Sequence, residues 1–420
     1  MLAALAGVGG GLLAGCTATE EGIGAWRRPG YDRRNSGVVP DRDGPSLPLT
    51  LRWTARVPDG HHHTSPVFAN GTVSLGYRRE TKSGEAVGVR TLDADDGSTV
   101  SDTTVAIHEG EASGSALFWD SLVIADGALY LVTFDGAYSL TTDGEQRWHL
   151  PMEGGPANSI QAIAHPVVAD GRAFVPTAST TSDTAGREAL YAVDDSTGEV
   201  DWRYVPPAAE FGWTFPPASA DGTVYLAALE YGVVALDAAS GTVEWTAEIP
   251  ANGPPTVANG RLFVSTEAEQ RSSIVALSLS NGEEVWRSTG DGTRLGRRLA
   301  AAHGRVYHRE SLADVVARDQ ATGKERWRNT EYGHVYGGAP AVTDDTLYVT
   351  VTPGSDAENR LAMLDPATGT LRGAAGVPGG GHLNASIALG EDVAIVTSSY
   401  GGVYAVETCP DEVCGPPGGP

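Results

Sequence analysis

A glycine followed four residues later by tryptophan recurs along the chain, as DGEQRW (Gly144, Trp148), TGEVDW (Gly198, Trp202), SGTVEW (Gly241, Trp245), NGEEVW (Gly282, Trp286) and TGKERW (Gly323, Trp327). The tryptophans are 54, 43, 41 and 41 residues apart. A period of this size means that each unit cannot bury its apolar face alone and must stack on its neighbours. Two further units keep the glycine but not the aromatic: DGSTVS puts Ser101 in the slot and TGTLRG puts Gly373 there.

Each unit carries three more signals in a fixed order. A short apolar run ends in a hairpin dipeptide, as at Asn70-Gly71, Asp126-Gly127, Asp170-Gly171, Asp221-Gly222, Asn259-Gly260 and His303-Gly304. A β-rich strand follows, such as Thr223 to Leu226 or Leu347 to Val349, and then a third strand ending in an acidic residue, as in YAVD (Tyr191 to Asp194), VALD (Val234 to Asp237) and AMLD (Ala362 to Asp365). Short, evenly spaced strands separated by turn signals predict an all-β antiparallel fold. Four strands per unit of this length make a propeller blade.

Units begin near Ser65, Ser121, His165, Pro217, Pro254, Arg298, Ala339 and Asn384, which makes eight. The eighth has three strands, ending at Val403 to Val406. An unpaired strand, Leu49 to Ala55 with Trp53 in the repeat position, is available at the other end. Lending it to the last blade closes the ring and removes the open edge. The expected fold is therefore an eight-bladed β-propeller of four-stranded antiparallel blades, closed by an N-terminal strand. Its expected parts are a signal-like segment over 1–16, a tether and lead-in over 17–48, the propeller over 49–407 and a Cys/Pro/Gly-rich tail over 408–420.

The tryptophans Trp53, Trp148, Trp202, Trp245, Trp286 and Trp327 are expected to dock neighbouring blades. One such ring buries about 150–250 Å², or about 4–6 kcal/mol at about 25 cal/mol/Å². The blades holding Ser101 and Gly373 are expected to be the looser ones.

The pattern A-x-D-x-x-T-G-x-x-x-W, as in AVDDSTGEVDW (Ala192 to Trp202) and ALDAASGTVEW (Ala235 to Trp245), resembles the PQQ-type β-propeller repeat. The resemblance runs from about Trp26 to Glu407. The phrase WRRPGYDRRNSG (Trp26 to Gly37) is similar to the lead-in that members carry before their first blade. Within the family the chain looks most like BamB-like lipid-anchored propellers. That likeness implies eight blades, no catalytic residues and a scaffold role in envelope protein assembly.

Met1 to Ala14 is an apolar run ending in Leu13-Ala14-Gly15-Cys16, similar to a lipoprotein signal whose cysteine accepts the lipid. The run is too short to span a bilayer and fits a signal h-region, although no basic residues precede it. A buried apolar N-terminal strand is the alternative. Two cysteines remain, Cys409 and Cys414 in CPDEVC, whose spacing permits a small disulfide loop worth roughly 2 kcal/mol. A lone C-x4-C is too weak a signal for zinc.

The net charge is −24, and of 29 basic residues only Lys82 and Lys324 are lysine. Such a surface resembles that of proteins from extreme halophiles, where high salt screens its self-repulsion. It offers no basic stripe for nucleic acid. The chain contains no G-x-S-x-G, H-E-x-x-H or P-loop. PQQ-dependent dehydrogenases share the repeat, but the resemblance to that class implies adjacent cysteines and long inserted loops, and neither is present. Thr91 to Gly97 imitates half a calcium loop yet lacks the distal glutamate and falls on the common repeat turn. His61-His62-His63 on extended backbone cannot all converge on one ion.

A binding site is expected where the connections between blades converge on one mouth of the central channel. These segments carry His63, Asn158, Gln161, His165, Trp213, Arg297, Arg298, His334, Tyr336, His382 and Asn384. The expected function is a non-catalytic, lipid-anchored, monomeric extracytoplasmic propeller that binds a protein or peptide and carries no cofactor or metal. The alternatives are a PQQ-dependent redox enzyme or its remnant, and an extracellular sensor or carbohydrate-binding module.

Overall fold

A computed structural model describes residues 26–409 apart from 41–43, 58–62, 83, 110–120, 134–135, 152–159, 163, 180–188, 207–214, 230, 269–270, 291–297, 311–313, 331–337, 352–358, 379–382 and 384–386. The described residues contain no helix. Their strands form eight antiparallel sheets. Blade 1 runs Val67–Ala69, Thr72–Thr81, Gly84–Asp93, Thr99–Glu109, and blade 6 repeats it with Ala300–Ala302, Arg305–Glu310, Asp314–Asp319, Glu325–Asn329. The innermost strands, two to four residues long, touch round the axis, with blade 1 flanked by blades 2 and 8. The wheel is therefore closed, as the repeat count predicts. Blade 3 departs from the pattern by one extra strand, Ile160–Ala162, paired to the far end of Arg172–Ser179.

The seal is the strand Leu49–Arg56, which pairs with Gly402–Thr408 in the register Leu51↔Val406, Trp53↔Ala405, Ala55↔Val403. Three bonds clamp its ends: Ser46 N to Thr408 Oγ1 (2.8 Å), Cys409 N to the Pro48 carbonyl (2.7 Å) and Val57 N to the Gly401 carbonyl (2.9 Å). Cys409 is disulfide-bonded. Cys16 and Cys414 lie outside the described residues.

The repeated motif has a mechanical meaning. Its aspartate folds the turn between the third and fourth strands: the Asp319 carboxylate accepts the N–H groups of Ala321 (3.1 Å) and Thr322 (2.8 Å), and Asp365 does the same for Ala367 and Thr368. In blade 1, Asp93 accepts the N–H of Asp95 within the same turn, at the segment that imitates a calcium loop. The motif glycine then takes φ near +70°, as at Gly323, and a Cβ there would lie 2.6 Å from the Trp286 ring of the preceding blade. The glycine and tryptophan of one motif thus serve two different interfaces. Each indole N–H completes the contact by donating to the next blade's turn: Trp53 to the Ala94 carbonyl, Trp148 to Asp195, Trp202 to Ala238, Trp245 to Leu279, Trp286 to Gln320 and Trp327 to Pro366, at 2.8–3.2 Å. Trp53 sits on the closing strand, so its bond joins blade 8 to blade 1.

Where the aromatic is missing, other side chains occupy the slot. Thr103 lies against Gly144 at the interface of blades 1 and 2. At Gly373, Leu47 from the lead-in packs within 2.7 Å of where a Cβ would stand. Blade 8 takes its outer strand from the N-terminus, so no motif turn arrives to dock on blade 7, and the chain entering the closing strand covers that place instead.

Candidate functional site at the central channel

The segment Trp26 to Val39 lies inside the channel. Pro29-Gly30 starts a tight turn in which Gly30 and Tyr31 take φ of 91° and 72°. The Asp32 carboxylate braces it by accepting Arg34 N (3.1 Å), Ser36 N (2.9 Å) and Ser36 Oγ (2.9 Å). On either side of this turn the backbone bonds to one innermost strand after another. Trp26 exchanges both bonds with Phe68 of blade 1. The carbonyls of Arg27, Arg33, Arg34, Ser36 and Gly37 accept the N–H groups of Ile124, Ser219, Val257, Ala301 and Val342, in blades 2, 4, 5, 6 and 7. Val39 N returns to the Val342 carbonyl at 2.8 Å. These innermost edges have no neighbouring strand, and a thread of main chain satisfies them. The fit is close: a Cβ on Gly37 would lie 2.8 Å from Ala300 Cβ.

Polar side chains fill the axis. Asn35 donates to the carbonyls of Pro217 (3.3 Å) and Pro255 (2.9 Å) and accepts from Arg28 Nη2 (2.9 Å). The same Nη2 reaches the Pro217 carbonyl and His165 Nδ1, both at 3.1 Å. Burial lowers the Arg28 pKa, the Asp32 charge opposes that, and Arg298 adds to it. His165 is held well below its ordinary value by burial first and then by the charges of Arg28 and Arg298, so it is neutral. Burial raises the Asp32 pKa, against the pull of its hydrogen bonds. Opposite blades 2 and 3, where the turn stands off the wall, a cavity of about 550 Å³ remains, lined by Arg27, Arg28, Arg33 and Arg34 from the thread and by Asp126 and Asp170 from the hairpins. At its outer side Arg33 pairs with Asp170 (3.5 Å), and Arg34 with Asp221 of blade 4 (3.6 Å).

Of the mouth residues singled out from sequence, three have described side chains. His63 is 2 % exposed, its ring wedged between the carbonyls of Ser398 (2.6 Å) and Thr64 (3.0 Å), where it ties blade 1 to blade 8. His165 is fully buried against Arg28. Arg298 is half-buried, and its charge reaches both Arg28 and His165. His63 is thus buried between blades 1 and 8, and His165 is buried against the thread. Asn158, Trp213, Arg297, His334, Tyr336, His382 and Asn384 lie outside the described residues, and Gln161 is described in its backbone alone. The residues that sequence reasoning missed are Arg28, Asp32 and Asn35. Their one signal was Pro29-Gly30 flanked by arginine pairs, a turn amid charge.

Fold and channel together define an eight-bladed propeller of PQQ-like repeats stoppered by its own N-terminal segment. The family model described as "Outer membrane protein assembly factor BamB" matches residues 85–211, 186–272 and 270–409, and the chain belongs to that family. The chain is 26 % identical over 316 residues to the outer membrane protein assembly factor BamB of Yersinia pestis, covering 69 % of this chain and 71 % of that protein. Among solved structures, BamB from Moraxella catarrhalis is similar with a TM-score of 0.60 at 19 % identity, over 87 % of this chain and 99 % of the other. A quinohemoprotein alcohol dehydrogenase from Comamonas testosteroni is similar with a TM-score of 0.69 at 14 % identity, over 91 % and 80 %. These last two likenesses speak for the fold alone.

Proposed function

We propose that this chain is a non-catalytic scaffold of the extracytoplasmic space, monomeric, anchored by lipid at Cys16, that holds a protein or peptide partner against the loops around the open mouth. The observation that carries this reading is the thread of residues 26–39, which bonds to the innermost strands of six blades and occupies the axis with its own side chains. A channel filled in this way leaves the rim and the blade edges as binding surface. The partner site is assigned to Trp213, Arg297, Arg298, His334, Tyr336 and His382, with strand addition at a blade edge as the other mode. The net charge of −24 sets the surface against nucleic acid and in favour of partners that tolerate or need acidic neighbours. Family membership supports a binding role.

The test is crosslinking capture in high salt with the intact chain and with Arg297, Arg298 and Tyr336 replaced by alanine. Loss of a specific captured protein in the variant supports the site, and unchanged capture moves it elsewhere. The likeness to a quinohemoprotein dehydrogenase supports a second reading, a redox enzyme. Adding PQQ with calcium and following absorbance and dye reduction separates the two: a saturable change with turnover replaces the scaffold reading.

A further inference from the structure

The thread serves the innermost strands of six blades and passes over two. In blades 1, 2, 4, 5, 6 and 7 the residue two places before the hairpin turn gives its N–H to a carbonyl of the thread: Phe68, Ile124, Ser219, Val257, Ala301 and Val342. The counterparts in blades 3 and 8 are Val168 and Leu389. Leu389 is closed off, at 1 % exposed. Val168 is half-buried and lines the cavity of about 550 Å³ where the thread turns away from blades 2 and 3.

Register fixes the direction of the Val168 main chain. Ala169 and Arg172 close the two-residue hairpin, so Val168 stands opposite Ala173 in a non-hydrogen-bonded pair and turns its N–H and C=O toward the axis. Phe68 stands in the same register in blade 1 and exchanges both bonds with Trp26. Among the described residues the Val168 N–H has no acceptor. Such an edge is a template for another main chain.

The lining selects which part of a chain fits. Asp126 and Asp170 belong to the hairpins, so the cavity lies at the hairpin end of the channel, away from the connections between blades. Further in, Arg28 and Asn35 fill the axis. A chain laid on blade 3 from outside must therefore end within the cavity. Arg33 and Arg34 line it with side chains 45 % and 46 % exposed. Their pairs with Asp170 and Asp221 are long, 3.5 and 3.6 Å, so a carboxylate that takes over part of either contact gives up little.

We propose that this cavity takes the C-terminal end of an extended peptide, whose main chain pairs with Val168 as Trp26 pairs with Phe68 and whose carboxylate meets Arg33 and Arg34. The site lies at the opposite end of the channel from the rim and does not depend on what the rim holds. Trialanine and its C-terminal amide are the probes, and amide hydrogen exchange of the full chain, resolved by residue with NMR, is the readout. Without peptide, Val168 should exchange faster than Phe68, Ile124 and Val257. Trialanine should slow it saturably, and the amide form, or trialanine with Arg33→Gln, should need about tenfold more peptide for the same protection. Arg326→Gln, on the outer strand of blade 6, should leave the titration unchanged. Val168 already as protected as Phe68 in the free chain, no slowing by trialanine, or equal titrations for the amide or for Arg33→Gln would each overturn the proposal.

Discussion

Replacing Gly323 by alanine separates backbone strain from blade docking, because the wheel contains its own control. Gly304 and Gly323 share φ of +70°, yet a Cβ at Gly304 meets nothing within 4 Å, while one at Gly323 falls 2.6 Å from Cε3 and 2.8 Å from Cδ2 of Trp286. Left-handed backbone costs a non-glycine residue about 1–2 kcal/mol, and that is the whole expected cost of Gly304→Ala. At Gly323 the indole must move as well, adding about 1–3 kcal/mol for overpacking. The displaced Trp286 N–H also loses its 2.9 Å bond to the Gln320 carbonyl, worth about 1 kcal/mol. Gly323→Ala should therefore cost about 3–6 kcal/mol. In a Trp286→Ala background it should fall to the Gly304→Ala value, a coupling of about 2–4 kcal/mol. Guanidinium unfolding of the full chain followed by circular dichroism reads all four variants without relying on the indole. Equal costs for the two glycine substitutions, or no change in the Trp286→Ala background, would refute the docking account.

Three further outcomes are expected. Asn35→Ala strips the Pro255 carbonyl of its donor and Arg28 of one acceptor in the buried channel and should destabilise the chain by about 2–4 kcal/mol, with faster hydrogen exchange at Val257 and Ala301, whose N–H groups bond to the thread. In blade 6 the buried Glu310 accepts from Arg318 at 2.7 Å and lies 3.3 Å from Arg328, so Glu310→Gln should cost about 3–5 kcal/mol in urea unfolding. Beside it, burial and then the Arg318 charge push His308 down to about 3, and its NMR signals should not move between about pH 5 and 8. The turn carboxylates Asp194 and Asp319 are pulled from 3.8 down to about 2, the first mainly by its Ser196 bond and the second by its Arg326 bond. Depressed carboxylates stabilise the fold above their unfolded pKa and lose that contribution as pH falls through the folded one. Thermal midpoints should therefore drop between about pH 4 and pH 2, and less steeply in Asp194→Asn; an unchanged slope in that variant counts against the turn as the cause.

The wheel was legible because its determinants are local and repeated. Asp170-Gly171 or Asp221-Gly222 sets a hairpin by backbone chemistry within four residues, and Gly323 and Trp327 recur at a spacing that needs no partner to be recognised. The closing strand could be read from Trp53 together with a blade one strand short. The thread was not legible beyond its turn, since each of its bonds goes to a different blade through the main chain, and main-chain bonds leave no mark on side-chain pattern. Arg28 and Asn35 look like surface residues until the carbonyls of Pro217 and Pro255 are known to lie above them. His63 was misleading for the same reason: its acceptor on Ser398 is 335 positions away. Leu47 replaces a missing tryptophan by arriving from outside the repeat, which no reading of the repeat itself could supply.

Ser46 and Thr408, joined in the seal, stand 362 positions apart in the chain. The polypeptide emerges from synthesis with Leu49–Arg56 unable to settle, because the sheet it must join is made last. The strand Leu49–Arg56 therefore waits, unpaired, until Gly402–Thr408 is made to receive it. Closure of the wheel is an event that follows synthesis of its last blade. A truncation that removes Gly402 to Thr408 should leave loose both the rest of the final blade and the strand Leu49–Arg56, while the segment in the hub keeps its bonds to six other blades.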